Sequence, residues 1–189
     1  ITATVNADIT NNGNGIAGTG NVVIAANAAL QGTTFSFSGN LTVNTGATLT
    51  TNDKLTLASD ATNTGRVGNS AGIISGNVTV QRYIPSGRRV FRFLAHPFTS
   101  NMAMSSLTDN IDITGSGGTP FTTTVTNAPS AFGYSNATAN SSLTSDPGWT
   151  NLTAGSVFAP KMGYRILIRG TKSQTNSLNG GSYTPNAVT

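Results

Sequence analysis

Gly20-Asn-Val-Val-Ile24 returns twice in this chain, as Gly39-Asn-Leu-Thr-Val43 and as Gly76-Asn-Val-Thr-Val80. The first two copies start 19 residues apart, and the third starts 37 residues after the second, close to two such units. A related strand, Asp53-Lys-Leu-Thr-Leu57, lies inside the longer gap. Strands that recur about every 19 residues are typical of a β-solenoid, whose coils stack on one another. The alternative is an ordinary β-sandwich with Gly-Asn turns.

The first ten residues alternate without a break between apolar and polar side chains, which predicts a half-buried strand. A Gly/Asn-rich stretch, Asn11–Gly15, follows as a turn or hinge. We expect this segment to be able to act as a donor strand, inserted into an open sheet edge of a neighbouring molecule. The side chains expected to fill that neighbour's groove are Ile1, Ala3, Val5, Ala7 and Ile9.

The second half of the chain differs in composition: it has more arginine and aromatic residues, and it has no repeat. Val90–Leu94 and Tyr164–Arg169 read as strong strands, and Pro- and Gly-rich loops separate them. This pattern predicts an antiparallel β-sandwich. The expected fold is all-β, with a short β-solenoid-like part packed on or followed by the sandwich. The expected divisions are residues 1–15, 16–82 and 83–189.

Composition excludes several classes of protein. Only 8% of the residues are charged, glutamate and cysteine are absent, and the net charge is +4. Ten Lys and Arg residues in 189 are too few for a basic stripe, so we expect no nucleic-acid partner. No long apolar run is present, so membrane insertion is not expected. The first residue is Ile rather than Met, from which we expect a processed chain or part of a longer one.

The residues needed for catalysis are scarce. His96 is the only histidine, and no Gly-x-Ser-x-Gly motif accompanies it. Zinc needs three or four ligands, and glycoside hydrolysis needs two facing carboxylates. Asp109-Asn-Ile-Asp112 has oxygen atoms for calcium, but a solvated turn explains it better. We therefore expect no enzymatic activity, no cofactor and no metal.

Arginine and aromatic side chains form the main candidate ligand site. Six arginines cluster in the second half or just before it: Arg82, Arg88, Arg89, Arg92, Arg165 and Arg169. Arginine and aromatic groups together suit an acidic glycan or the carboxylate of a partner. The predicted ligand contacts are Arg88, Arg92, Tyr164, Arg165 and Trp149. Alternatively, these arginines cover a sheet and pair with aspartates, while the aromatic residues belong to packed interiors.

Several stretches resemble a module of large cell-surface proteins of Bacteroidota, many of them exported by the type IX secretion route. They are Asn44–Thr50, Leu55–Asp60, Gly76–Pro85, Gly87–Leu94 and Gly163–Gly170. The resemblance implies an extracellular location at the bacterial surface and an adhesin-like or structural role. It supplies no catalytic residues.

These expectations lead to two leading functions. The first is a structural subunit of a surface filament or fibre, which assembles by β-strand addition or by end-to-end stacking of coils. Its partners are copies of itself or neighbouring modules of a longer chain. The second is an adhesin module that binds glycans or a host surface. A carbohydrate-active enzyme ranks last.

Overall fold

The computed structural model describes residues 2–11, 16–135, 148–172, 174, 178 and 184–189. The chain divides into two compact units. Unit 1 comprises Ile1–Ile84 with Thr189, and unit 2 comprises Pro85–Val188. The division lies two residues beyond the expected one between residues 82 and 83.

Unit 1 is a stack of four coils, and each coil contributes one short strand to each of three parallel sheets. The sheet orders are β1-β4-β7-β10, β2-β5-β8-β11 and β3-β6-β9-β12. The strands are β1 Thr2–Val5, β2 Ile9–Asn11, β3 Ile16–Gly18, β4 Asn21–Ile24, β5 Ala28–Gly32, β6 Phe35–Phe37, β7 Asn40–Val43, β8 Thr48–Thr50, β9 Leu55–Leu57, β10 Arg66–Val67, β11 Ile73–Ser75 and β12 Val78–Val80.

The 19-residue repeat is present in the register of the first sheet, where Asn21 of β4 pairs with Asn40 of β7. A Cβ added at Gly39 would overlap the carbonyl oxygen of Gly20, so the glycine in the repeat permits this close approach of coils. The third copy does not continue the same sheet. Its strand β12 pairs with β9, whereas the next strand after β7 is β10.

An enlarged third coil explains why the third copy of the repeat lies in a different sheet. Asn40 of β7 pairs with Arg66 of β10, so this coil is seven residues longer than the one before it. The extra residues form a loop closed by a bridge between Ser59 and Thr64. Inside the loop, backbone N–H donation from Thr62 and Asn63 lowers the pKa of the exposed Asp60 carboxyl.

The core of unit 1 comes from the side chains that point into the stack. Alternate residues of each strand face inward, as the side-chain period of two requires. The second and third coils supply the fully buried members, and Val5, Ile9, Ile74, Val78 and Val80 of the outer coils pack against them. The buried members are Ile24, Ala28, Leu30, Phe35, Leu41, Val43, Ala47, Leu49, Leu55 and Leu57.

The N-terminal segment belongs to this stack rather than to a separate hinge-linked strand. All four residues of β1 pair with β4, from Thr2 with Asn21 to Val5 with Ile24. The segment also bends, because β1 ends at Val5 and β2 begins at Ile9. Of the residues expected to donate, Val5 and Ile9 pack on the core of their own chain, Ala3 and Ala7 are exposed, and Ile1 lies outside the described residues.

Aspartate and asparagine side chains join successive coils at their corners. The Oδ1 atom of Asp8 accepts the N–H of Ala29 at 2.7 Å. Oδ1 of Asn27 accepts the N–H of Thr48 at 2.9 Å. Oδ1 of Asp53 accepts the N–H of Asn77 at 3.0 Å. One such bond therefore bridges each of the three steps between coils, where the chain turns from one sheet to the next.

Replacing Asn27 tests these corner bonds. We expect Asn27→Ala to lower the free energy of unfolding of unit 1 by about 1 kcal/mol, because the N–H of Thr48 loses its protein acceptor. Asn27→Asp keeps the acceptor oxygen and should stay close to the wild type. Urea denaturation followed by circular dichroism measures both variants. Equal losses in the two variants would contradict the proposed role of the oxygen.

Unit 2 is built from antiparallel sheets. A four-stranded sheet has the order β13-β18-β15-β16, and β14 pairs with β17 in a second sheet. Its elements are β13 Val90–Leu94, β14 Met102–Ala103, α1 Ser105–Thr108, β15 Ala131–Tyr134, β16 Trp149–Asn151, β17 Val157–Phe158 and β18 Tyr164–Ile168. The predicted class, all-β with a solenoid-like part and an antiparallel part, is confirmed. Within the described residues, no helix has the length and apolar character needed to cross a membrane.

Candidate ligand-binding face

The four-stranded sheet of unit 2 has one buried side and one exposed side. Tyr164, Ile166 and Ile168 of the central strand β18 are all buried, together with Ala131 of β15. Their neighbours along each strand point the other way. On that other side, the register places Phe93 of β13 and Phe132 of β15 directly opposite Arg165 of β18.

The exposed side carries five aromatic rings, which we call the aromatic face together with Arg165. Neighbouring rings contact one another with centroid distances between 5.2 and 5.8 Å. Phe93 and Tyr134 both approach Trp149, and Phe91 meets Phe132 edge to face. Phe93 is 72% exposed, which is unusual for a phenylalanine. The five rings are Phe91, Phe93, Phe132, Tyr134 and Trp149.

The rings of the two edge strands lean toward each other across the sheet. Phe93 lies on β13 and Trp149 on β16, with two strands between them. Neighbouring strands are about 4.8 Å apart, so the two backbones are separated by about 14 Å. The ring centroids are nevertheless only 5.8 Å apart. The two side chains therefore arch over the centre of the sheet, where Arg165 lies.

Arg165 holds this arrangement together. Its guanidinium carbon lies 4.6 Å from the ring centroid of Phe132 and 4.8 Å from those of Phe91 and Trp149. These three rings belong to three different strands, and each distance is within cation–π range. A single cation therefore contacts aromatic side chains from all three of the other strands of the sheet. The positive charge remains within the exposed face rather than in the core.

An open depression of about 680 Å³ adjoins the rings. Its walls are mainly apolar, and no carboxylate is among the described residues that line it. Gly163 borders open space, because a Cβ at that position would meet no other atom within 4 Å. The lining residues are Phe93, Tyr134, Ser135, Trp149, Met162 and Gly163.

The structure brings together two of the five predicted ligand contacts, Trp149 and Arg165. Tyr164 lies on the opposite side of the sheet, where its ring packs edge to face on Phe158 and its hydroxyl accepts the N–H of Ala159. Arg92 is exposed but alternates with Phe91 and Phe93, so it leaves the strand away from the rings. Arg88 is exposed before β13 begins.

Three rings of the face were not singled out from the sequence: Phe91, Phe93 and Phe132. A local signal existed in Val90–Leu94, where two phenylalanines flank an arginine and must share one side of a strand. That pattern does not reveal which side faces solvent. The contact with Trp149 depends on strand pairing over a long sequence separation, which the local pattern does not contain.

The remaining candidate groups have structural roles. His96 contacts the carbonyl oxygen of Phe158 through Nε2 at 2.8 Å, and its Nδ1 accepts the N–H of Phe98 at 3.3 Å. The carboxylate of Asp112 is buried and accepts the hydroxyl of Thr122 at 2.7 Å. Within the described ranges, no group of three or more potential His, Cys, Asp or Glu ligands is placed to hold a metal ion.

Comparison with known proteins gives no relative from which a role can be transferred: no family model, curated protein or solved structure matches this chain. The arguments about function therefore rest on the geometry of the aromatic face and on the residues themselves.

Replacing Arg165 tests its role as the centre of the face. We expect Arg165→Met to lower the free energy of unfolding by about 1–2 kcal/mol, because three cation–π contacts disappear. Trp149 is the only tryptophan in the sequence, so its fluorescence reports this site directly. Its accessibility to acrylamide should rise in Arg165→Met and rise less in Arg165→Lys, which keeps the charge but not the planar group.

Arg92→Gln is the matched control for this experiment, because Arg92 lies on the same sheet but away from the rings. It should leave the quenching of Trp149 unchanged. An Arg165→Met variant with wild-type quenching and stability would show that the rings hold their positions without the cation.

Proposed function

We propose that this chain is a non-enzymatic, extracellular module of a bacterial surface protein, and that it binds glycans through the aromatic face. One observation carries the proposal: five aromatic rings occupy the exposed side of an antiparallel sheet, beside an open depression. Such a side is normally polar. A contiguous apolar patch on a soluble domain commonly marks a place where something binds.

The chemistry of sugars fits this surface. A pyranose ring has an apolar face of C–H groups, and it can lie flat on an aromatic ring while its hydroxyls stay in water. The depression is shallow and open, which suits an extended chain of sugar rings better than a deeply enclosed small molecule. Among the lining residues, Tyr134 has a hydroxyl and Trp149 an indole N–H, groups that can pair with sugar hydroxyls.

A binding role is favoured over an enzymatic one by the residues around the depression. Glycoside hydrolysis needs a pair of carboxylates on either side of the scissile bond. No carboxylate is among the described lining residues. The location at the bacterial surface is part of the proposal and comes from the resemblance in the sequence alone.

The experiment is to remove Phe93, the most exposed ring. Phe93→Ala should weaken binding to a responsive glycan at least tenfold, since it deletes one wall of the depression. Because the side chain is already 72% exposed, the fold should lose little stability. Binding is found with a glycan array and measured by calorimetry.

Val125→Ala is the control, since it shortens another exposed apolar side chain that is 97% accessible and does not line the depression. It should bind as the wild type does. A folded wild-type protein that binds nothing on a broad array, or a Phe93→Ala variant with full affinity, would refute the proposal.

A second candidate function is that of a filament subunit assembled by end-to-end stacking of coils. Within the described part of the chain, no strand pairs with the outer edges of β1, β2 and β3, or with those of β10, β11 and β12. Stacking the last coil of one copy on the first coil of another would be head-to-tail and would not close, which gives a fibre. This version of assembly uses all three edges instead of a donated strand.

A proline at the outer edge of β1 tests this second candidate. The carbonyl of Val5 bonds to Ala25, so the backbone groups of Thr4 point the opposite way, to the unpaired edge. Thr4→Pro should therefore abolish filaments seen by electron microscopy while keeping unit 1 folded, since the lost N–H serves only the neighbour. Thr4→Val keeps that N–H and should still polymerise. Filaments that persist in Thr4→Pro would exclude stacking through β1.

A further inference from the structure

We infer that the glycan bound by the aromatic face is acidic, a chain of sugars that carries carboxylate or sulfate groups. This inference rests on the proposed glycan binding and adds the chemical class of the ligand. It is carried by the distribution of charge along the chain and by the location of the cations relative to the depression.

The net charge of +4 belongs entirely to unit 2. Unit 1 contains three cations and three aspartates, which cancel: Lys54, Arg66 and Arg82 against Asp8, Asp53 and Asp60. Unit 2 contains seven cations and three aspartates: Arg88, Arg89, Arg92, Lys161, Arg165, Arg169 and Lys172 against Asp109, Asp112 and Asp146. The unit that presents the rings is therefore the unit that attracts anions.

One of these cations contacts the rings, and another directly precedes two residues that line the depression. Arg165 is the centre of the aromatic face. Lys161 is exposed and directly precedes Met162 and Gly163, which line the depression. The backbone of Lys161 has a φ of 63°, so the chain turns sharply at this residue beside the depression. An anionic group on a sugar bound beside Met162 and Gly163 would thus lie close to the exposed Lys161.

The described carboxylates of unit 2 do not oppose this field at the rings. Asp112 is buried and accepts the hydroxyl of Thr122. Asp109 follows α1, in a segment that contributes nothing to the lining of the depression. A carboxylate or sulfate on a sugar would therefore meet favourable electrostatics, and charge-assisted hydrogen bonds to Arg or Lys are stronger than neutral ones.

A single-stranded nucleic acid also combines anionic groups with rings that stack, so it is the competing ligand class. Proteins that bind it use a groove lined with cations along the backbone path. Here the aromatic face contains Arg165, with Lys161 beside it, and its depression is lined by apolar groups. The low density of cations favours a glycan, in which charged groups can be spaced by whole sugar rings.

The test compares four polymers on the whole chain. They are polygalacturonate, its carboxyl-reduced neutral form, chondroitin sulfate and a 20-nucleotide oligothymidylate. Binding is followed by calorimetry and by the fluorescence of Trp149. At low salt we expect at least one of the acidic glycans to bind tenfold or more tightly than the reduced polymer. That affinity should fall several-fold between 50 and 300 mM NaCl, because the contact is ionic.

The outcomes separate this inference from the function on which it rests. Equal affinity for polygalacturonate and its reduced form, with no binding of chondroitin sulfate, would overturn the acidic class and leave glycan binding intact. No binding to any glycan, here or on the array, would overturn both. Tighter binding of the oligothymidylate than of every glycan would also overturn both, in favour of a nucleic-acid ligand.

Two variants locate the anionic group. Lys161→Gln should weaken binding of the acidic glycan three- to tenfold. Lys54→Gln, which removes the same charge from unit 1, should leave it unchanged. Equal weakening by the two variants would mean that overall charge attracts the ligand, and would contradict an anion site beside the depression. Unchanged affinity in Lys161→Gln would contradict that site as well.

Discussion

The fold of unit 1 depends on satisfying the backbone where the chain turns between sheets. Along the strands, parallel ladders pair the N–H and C=O groups of one coil with those of the next. At the corners these ladders stop, and the N–H groups there need another acceptor. Oδ1 atoms of Asp8, Asn27 and Asp53 each accept an N–H of the following coil. Short Asp and Asn side chains suit this role, because their oxygens reach backbone N–H groups close to their own position.

A different constraint governs unit 2. In an antiparallel sheet the side chains alternate, so every apolar residue added to one strand commits its neighbours to the other side. Val90 and Leu94 pair in register with Ile168 and Tyr164 of the core side, and this pairing sends the two phenylalanines between them outward. Arg165 offsets part of the cost of exposing the rings, since it covers three of them with a weakly hydrated cation. Packing of the core therefore places the two phenylalanines on the outer side. The contacts with Arg165 also make this side a preorganised surface.

Local pattern was enough to predict the class of fold but not the assembly of the face. The pair of repeats at Gly20 and Gly39 predicted stacked coils, because glycine and strand residues recur at the length of one coil. The copy at Gly76 lies in a different sheet from the first two copies, and nothing in the sequence marks residues 58–65 as an insertion within a coil. Among the site residues, Arg165 and Trp149 were predicted, whereas Tyr164 belongs to the core. Which side of β18 faces solvent depends on pairing with residues up to 78 positions distant, as Val90 is from Ile168, and periodicity alone carries no such information.

The two candidate functions draw on different parts of the chain, so they do not compete for the same residues. Stacking of coils needs open ladder edges and little charge, because like charges on successive coils would repel at a spacing of about 4.8 Å. Unit 1 has no net charge, which is compatible with stacking on another copy. Ligand capture needs aromatic surface and a cationic field, and unit 2 has both.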